Sequence, residues 1–269
     1  MRMKLILGAL SVTSLGFSSL AASSPLVRSI GGDATPASIT GVRDQFRADL
    51  GGDGISEINW DGVPDSFSVP NNLPANFFNG VKLSTPGAGF QVSANNGVAP
   101  VEFDNTNPTY SSTFGVFSSQ RLFTGVGSNI VDVSFGEPGS RGLVGGFGAV
   151  FTDVDLTNST TMEYFDAANN SLGVFAVPVG IVGSESLSFL GVSFGFGRTL
   201  ISHVRITSGN TALGAGVNDG TPLGTGNVAD LVAMDDFIYT GIVPEPETYA
   251  MLLAGLGLIG AISRRRKLP

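Results

Sequence analysis

The sequence contains no cysteine, one histidine and one tryptophan. The first absence removes disulfides and thiolate metal sites, so an exported form of this chain must hold its core without covalent staples. The second leaves His203 as the only imidazole that a nucleophile–base pair could use. His203 sits in Ser202-His203-Val204-Arg205-Ile206, which reads as a surface strand, and no Gly-x-Ser-x-Gly turn accompanies it. Positive charge is also scarce, with 14 Lys and Arg against 22 Asp and Glu. Six of those cations and two of the acids lie in the end segments 1–22 and 243–269, which leaves the body eight cations, 20 acids and a net charge of −12. That balance excludes nucleic acid, whose binding rests on neutralising phosphates. It also argues against anionic lipid surfaces, permits divalent cations and keeps the body soluble.

What is abundant points to β structure. There are 38 Gly and 19 Phe, with many Val, Ser and Thr. Segment 129–135 alternates Ile130, Asp132 and Ser134 against Val131, Val133 and Phe135, the period-2 pattern of a half-buried strand. Further strand candidates follow at 146–154, 161–165, 171–177, 187–196, 202–207 and 232–240, separated by Gly- and Asn-rich turns. Asp166-Ala-Ala-Asn-Asn-Ser171 reads as a hairpin turn in which Asn169 or Asn170 takes a positive φ. Residues 129–242 therefore predict a β-sandwich.

Residues 23–128 read as a more irregular, β-rich first part of the body. Turn-forming clusters at Asn59-Trp60-Asp61-Gly62, Asn71-Asn72-Leu73-Pro74 and Ser84-Thr85-Pro86-Gly87 separate short strand candidates at 81–83, 89–92, 101–103 and 114–117. Val42, Phe46 and Leu50 share one helical face, so a short helix is predicted over 42–50, stopped by Gly51-Gly52. A single helical turn is predicted at 74–79.

Both ends carry targeting patterns. Residues 1–22 read as a signal peptide for signal peptidase: Arg2 and Lys4, then a mostly apolar stretch, then small residues around Ala21 and Ala22. At the other end, Pro244-Glu245-Pro246 forms an extended strip, since prolines lack the N–H that a sheet or helix interior needs. An apolar run and four cations follow, Arg264, Arg265, Arg266 and Lys267. The run 249–262 holds 14 residues, roughly 21 Å of helix, against about 30 Å of hydrocarbon core. We expect it to span as a single transmembrane helix with snorkelling arginines, its basic end cytoplasmic.

This order of tripeptide, short Gly-rich span and Arg cluster resembles the PEP-CTERM sorting tail of Gram-negative bacteria. The resemblance implies recognition and cutting near Pro244-Glu245-Pro246 by an exosortase-like membrane protease, export to the cell surface or extracellular matrix, and an association with exopolysaccharide. The body, through Gly148-Ala-Val-Phe-Thr-Asp153-Val-Asp155, Glu163-Tyr-Phe-Asp166, Ser188-Phe-Leu-Gly-Val192, Val204-Arg-Ile-Thr-Ser208 and Asp235-Asp-Phe-Ile-Tyr239, looks like the jelly-roll β-sandwiches of exported bacterial proteins. That second resemblance implies glycan binding and a structural Ca²⁺.

The residues offer one metal candidate. Asp153 and Asp155 are two apart and point to one face of a strand, and of the adjacent Asp235 and Asp236 only one, taken as Asp235, could join them around a hard, oxygen-seeking cation. Asp53-Gly54 and Asp219-Gly220 resemble fragments of calcium loops, but neither continues with the acids such a loop needs. Trp60 reads as a core plug or as an exposed ring for a sugar to stack on. A glycosidase needs only two carboxylates, and no pair among the 20 is singled out. The expectation is a non-catalytic surface or matrix protein, with a secreted polysaccharide hydrolase as the alternative.

Overall fold

The computed structural model describes residues 24–51, 54–94, 102–136, 142–195, 201–224, 226–244, 253–256 and 258–259. The expected signal peptide lies outside this set, as do Asp53, Glu245, Pro246 and the basic cluster Arg264–Lys267. In chain order the elements are β1 (Leu26–Gly31), α1 (Ala37–Asp49), β2 (Ile55–Ile58), β3 (Val81–Ser84), β4 (Gly89–Val92), β5 (Phe123–Val126) and β6 (Ile130–Phe135). They continue with β7 (Gly142–Leu143), β8 (Gly146–Thr152), β9 (Thr161–Phe165), β10 (Ser171–Ala176), β11 (Leu187–Ser193), β12 (His203–Thr207), β13 (Ala233–Thr240) and β14 (Val243–Pro244).

The strands form two main antiparallel sheets. The larger runs β1-β11-β8-β13-β5-β4, with β2 also paired to β13; the smaller runs β10-β9-β12-β6-β3. Their facing sides share one core, in which Phe147, Ala149 and Phe151 of β8 meet Val131, Val133 and Phe135 of β6, Met162 and Tyr164 of β9, and Val204 and Ile206 of β12. The two sheets differ in what covers their outer faces. Strands β6 and β9 of the smaller sheet alternate buried and half-buried residues, as one-faced strands should. β8 and β11 are buried at every position, because their second face is covered.

Helix α1 does part of that covering. Its Ile39 and Phe46 pack with Val150, Leu187, Phe189 and Ile238 in a second cluster. Gly148 and Gly191 lie opposite each other in the β8–β11 ladder, and a Cβ at either would stand 2.8 or 2.7 Å from the Phe46 ring. The two glycines make the recess that receives the ring. The helix begins five residues before the predicted start, at Ala37, so that Ile39 joins the buried face two turns ahead of Phe46.

Several first-part expectations need correction. Strands β1, β2 and β5, absent from the sequence reading, belong to the same sheet as β8, β11 and β13. Strands from both sides of residue 128 build both sheets. Glu102 and Phe103 have φ of 56° and 68°, which rules out the strand expected at 101–103. Residues 114–117 are irregular, and 74–79 is a turn closed by Phe77 N–H to the Pro74 carbonyl rather than a helical turn.

Candidate metal centre

The expected pair Asp153 and Asp155 stands just beyond the end of β8. Asp153 has a left-handed φ of 69°, an unusual conformation for a non-glycine residue, and donates its N–H to the Ser186 carbonyl. Antiparallel pairing of Ala233 with Thr152 brings the residues that precede β13 alongside. Asp230 thus reaches the pair, and its Oδ1 accepts the Asp155 N–H at 3.0 Å. Asp219 comes from the long excursion between β12 and β13, where its Oδ1 accepts the Leu231 N–H at 2.9 Å. Carboxylate oxygens of Asp153, Asp155 and Asp219 all lie within 4.8 Å of one another.

The electrostatics of this group are one-sided. Asp153 is 0% exposed, and both of its side-chain oxygens are buried without a hydrogen-bond partner. Burial pushes its carboxyl up to about 9, and Asp155, Asp219, Asp230 and Glu185 add repulsion. Asp155 is pushed up to about 6 by burial and by Asp219 and Asp230. Burial also raises Asp219 and Asp230, partly offset by hydrogen bonds that favour their charged forms, from the Leu231 and Gly220 N–H groups to Asp219 and from the Ser159 hydroxyl and the Asp155 N–H to Asp230. Every charged neighbour acting on Asp153 is another acid. An orphaned buried carboxylate among oxygen ligands fits a hard divalent cation.

Asp235 is elsewhere. A register shift in β13 between Met234 and Phe237 lets the adjacent Asp235 and Asp236 both reach Ser118 Oγ, at 3.0 and 2.8 Å. Asp235 Oδ2 accepts the Phe117 and Ser118 N–H groups at 2.6 and 3.2 Å. Its oxygens are spent on this loop, and Asp219 takes the third place in the acidic group. The Asp219-Gly220 dipeptide was visible in the sequence, but its missing partners Asp153 and Asp155 come from the segment just past β8 rather than from the residues that follow it.

The remaining candidates resolve plainly. Trp60 is fully buried, stacked on Phe123 at 4.0 Å between ring centroids, and its Nε1–H donates to the Asp235 carbonyl. It is a core plug and not a sugar platform. His203 opens β12 and stacks on Phe165 at 4.3 Å. At the tail, Val243 and Pro244 pair with Leu143 and Gly142, so the first proline of the strip lies against the body. Short helical stretches occur at 253–256 and 258–259 with exposed side chains. No described helix is long and apolar enough to cross a membrane.

Comparison with known proteins adds one assignment. Residues 243–267 match the PEP-CTERM protein-sorting motif. No curated protein matches the chain. Among solved structures, the enzymatically active domain of bacteriophage CBA120 tailspike protein 4 (TSP4dN, orf213) is similar at 15% identity and a TM-score of 0.28, over 67% of this chain and 22% of that one. A likeness of that size carries no argument about this chain.

Proposed function

We propose, from the sorting motif carried at residues 243–267, that this is an exported, non-catalytic protein of the Gram-negative cell surface or extracellular matrix. In this reading residues 1–22 direct export and are removed by signal peptidase. The tail then spans the inner membrane transiently, and an exosortase-like protease cuts near Pro244-Glu245-Pro246. The single observation that carries the reading is the motif match, which covers the proline strip and the Arg cluster together.

The body, a jelly-roll-like sandwich, binds glycan or other surface components. A recess of about 390 Å³ supports this role; it is lined by Ser134, Phe135, Asp166, Asn169, Ser202 and His203, among others. Hydroxyl, carboxylate, amide and imidazole groups around a concave site are what sugar hydroxyls bind. The non-catalytic role is supported by the lack of nucleophile–base machinery in the sequence: His203 is the only imidazole, no Gly-x-Ser-x-Gly turn accompanies it, and its ring stacks on Phe165.

The test is the intact mass of the protein recovered from the surface and medium of its native host. The expected species ends within residues 244–247. A chain ending at Pro269 and found only in membranes would sink the sorting reading. For the body, binding to the host's exopolysaccharide without release of reducing ends is expected; chain shortening would replace binding with hydrolysis.

A further inference from the structure

The acidic group at the end of β8 has no part in sorting or in the glycan recess, and its geometry asks for an occupant. We propose that Asp153, Asp155 and Asp219, with Asp230 beside them, form a calcium site that clasps the excursion between β12 and β13 to the end of β8.

The observation that points to a ligand is Asp153. A carboxylate with both oxygens buried and unpartnered is among the costliest groups a fold can carry, unless a counter-charge sits against it. The surrounding side chains cannot supply one, since the charges that act on Asp153 are Asp155, Asp219, Asp230 and Glu185. A bound cation would reverse the sign of each of these interactions. The donor atoms are all oxygen, which selects hard cations. The oxygens of Asp153, Asp155 and Asp219 lie within 4.8 Å of one another, close enough to share one ion. A cage made of protein carboxylates suits Ca²⁺ better than Mg²⁺, which dehydrates reluctantly and keeps several waters.

The site's place in the fold shows what the ion would do. The excursion between β12 and β13 is tied to segment 102–114 by Asn107, whose Nδ2 donates to the Val217 carbonyl and to Asn218 Oδ1. Tyr110 O–H reaches the Val217 and Gly214 carbonyls. Asp219 follows directly, and Leu213, Val217 and Leu231 join Tyr110 and Phe114 in a third apolar cluster. A cation held by Asp219 and Asp153 would therefore bind this lobe to β8, the central strand of the larger sheet.

The experiment uses the full chain in mild detergent, stripped with EDTA and then titrated with CaCl₂ or MgCl₂. One Ca²⁺ per chain is expected by calorimetry. At calcium a hundredfold above Kd, Tm should rise by about 5–10 °C, with a smaller rise for magnesium. Limited proteolysis should cut the β12–β13 excursion in EDTA and spare it in calcium. Asp153→Asn keeps the shape and removes a buried charge, so it should fold; it and Asp219→Asn should lose the calcium shift. Asp235→Asn, at the other acidic group, should keep it. No heat and no Tm shift at millimolar calcium would overturn the proposal. So would a shift that survives Asp153→Asn, or an equal response to magnesium.

Discussion

A single hydroxyl between two carboxylates makes the Asp235–Asp236 pair a test of buried protonation. Ser118 Oγ lies 3.0 Å from Asp235 Oδ1 and 2.8 Å from Asp236 Oδ1, yet it has one hydrogen to donate. Both contacts are satisfied only if one carboxyl keeps a proton. Asp236 is the better anion, because Arg43 Nη1 stands 3.7 Å from its Oδ2. Asp235 is more deeply buried, and burial together with the Asp236 charge holds its carboxyl well above the usual range. The arrangement is thus Asp235 O–H to Ser118 Oγ, and Ser118 O–H to Asp236.

The sign follows from linkage. Asp235 in the folded chain keeps a proton that the unfolded chain releases near pH 4, so stability is full below that range and is lost as pH rises toward the raised folded value. One retained proton gives a slope of about 1.4 kcal/mol per pH unit, or roughly 3–5 °C in Tm for a domain of this size. Asp235→Asn copies the protonated acid: its carbonyl oxygen accepts the Phe117 and Ser118 N–H groups, and its NH₂ donates to Ser118 Oγ. Thermal melts from pH 5 to 8 in fixed calcium are the assay. The variant should melt with the parent at pH 5, above it at pH 8, and with a slope smaller by up to one proton. An equal loss at every pH, with the slope unchanged, would show that Asp235 is ionised and refute the proton count.

Two other sites give sharp expectations. Phe46→Ala empties the recess over Gly148 and Gly191 and should cost about 3–5 kcal/mol, read as a Tm drop of roughly 6–20 °C. Gly191→Ala should cost about 1–3 kcal/mol from the opposite direction, because its Cβ would stand 2.7 Å from the Phe46 ring. Trp60 is the only tryptophan and fully buried, so native emission should be that of an apolar indole and shift red on urea unfolding; solvent-like emission from the native chain would contradict the core placement.

What the sequence disclosed depended on what covers each strand. β6 was legible because the smaller sheet has one dry face, so Val131, Val133 and Phe135 stand out at every second position. β8 and β11 were legible as long apolar runs, although nothing in those runs announced the helix on their outer face. β1 was missed because its exposed and half-buried edge residues carry no alternation. β5 was missed because Phe123-Thr-Gly-Val126 is short and its place comes from pairing with β4 and β13. The helix was read too short because Gly41 interrupted the pattern between Ile39 and Phe46.

The acidic centre shows the same division at the level of a site. The spacing of Asp153 and Asp155 could be read along the chain, since local geometry alone brings them together. Asp230 could not, because the antiparallel pairing of β8 with β13 delivers it, and neither could Asp219, which arrives from the β12–β13 excursion tied down by Asn107 and Tyr110. That pairing sets the residues after one strand beside those before the other. Adjacency misled at Asp235 and Asp236, where the shift in β13 turns both acids toward Ser118 and away from the β8 end. A search for calcium-loop spacing therefore rejects Asp219-Gly220 correctly as a loop and misses it as a ligand. The usable signal is topological: acids just past the end of one strand, and acids just before the start of its antiparallel neighbour, meet at one end of the sheet whatever sequence separates them.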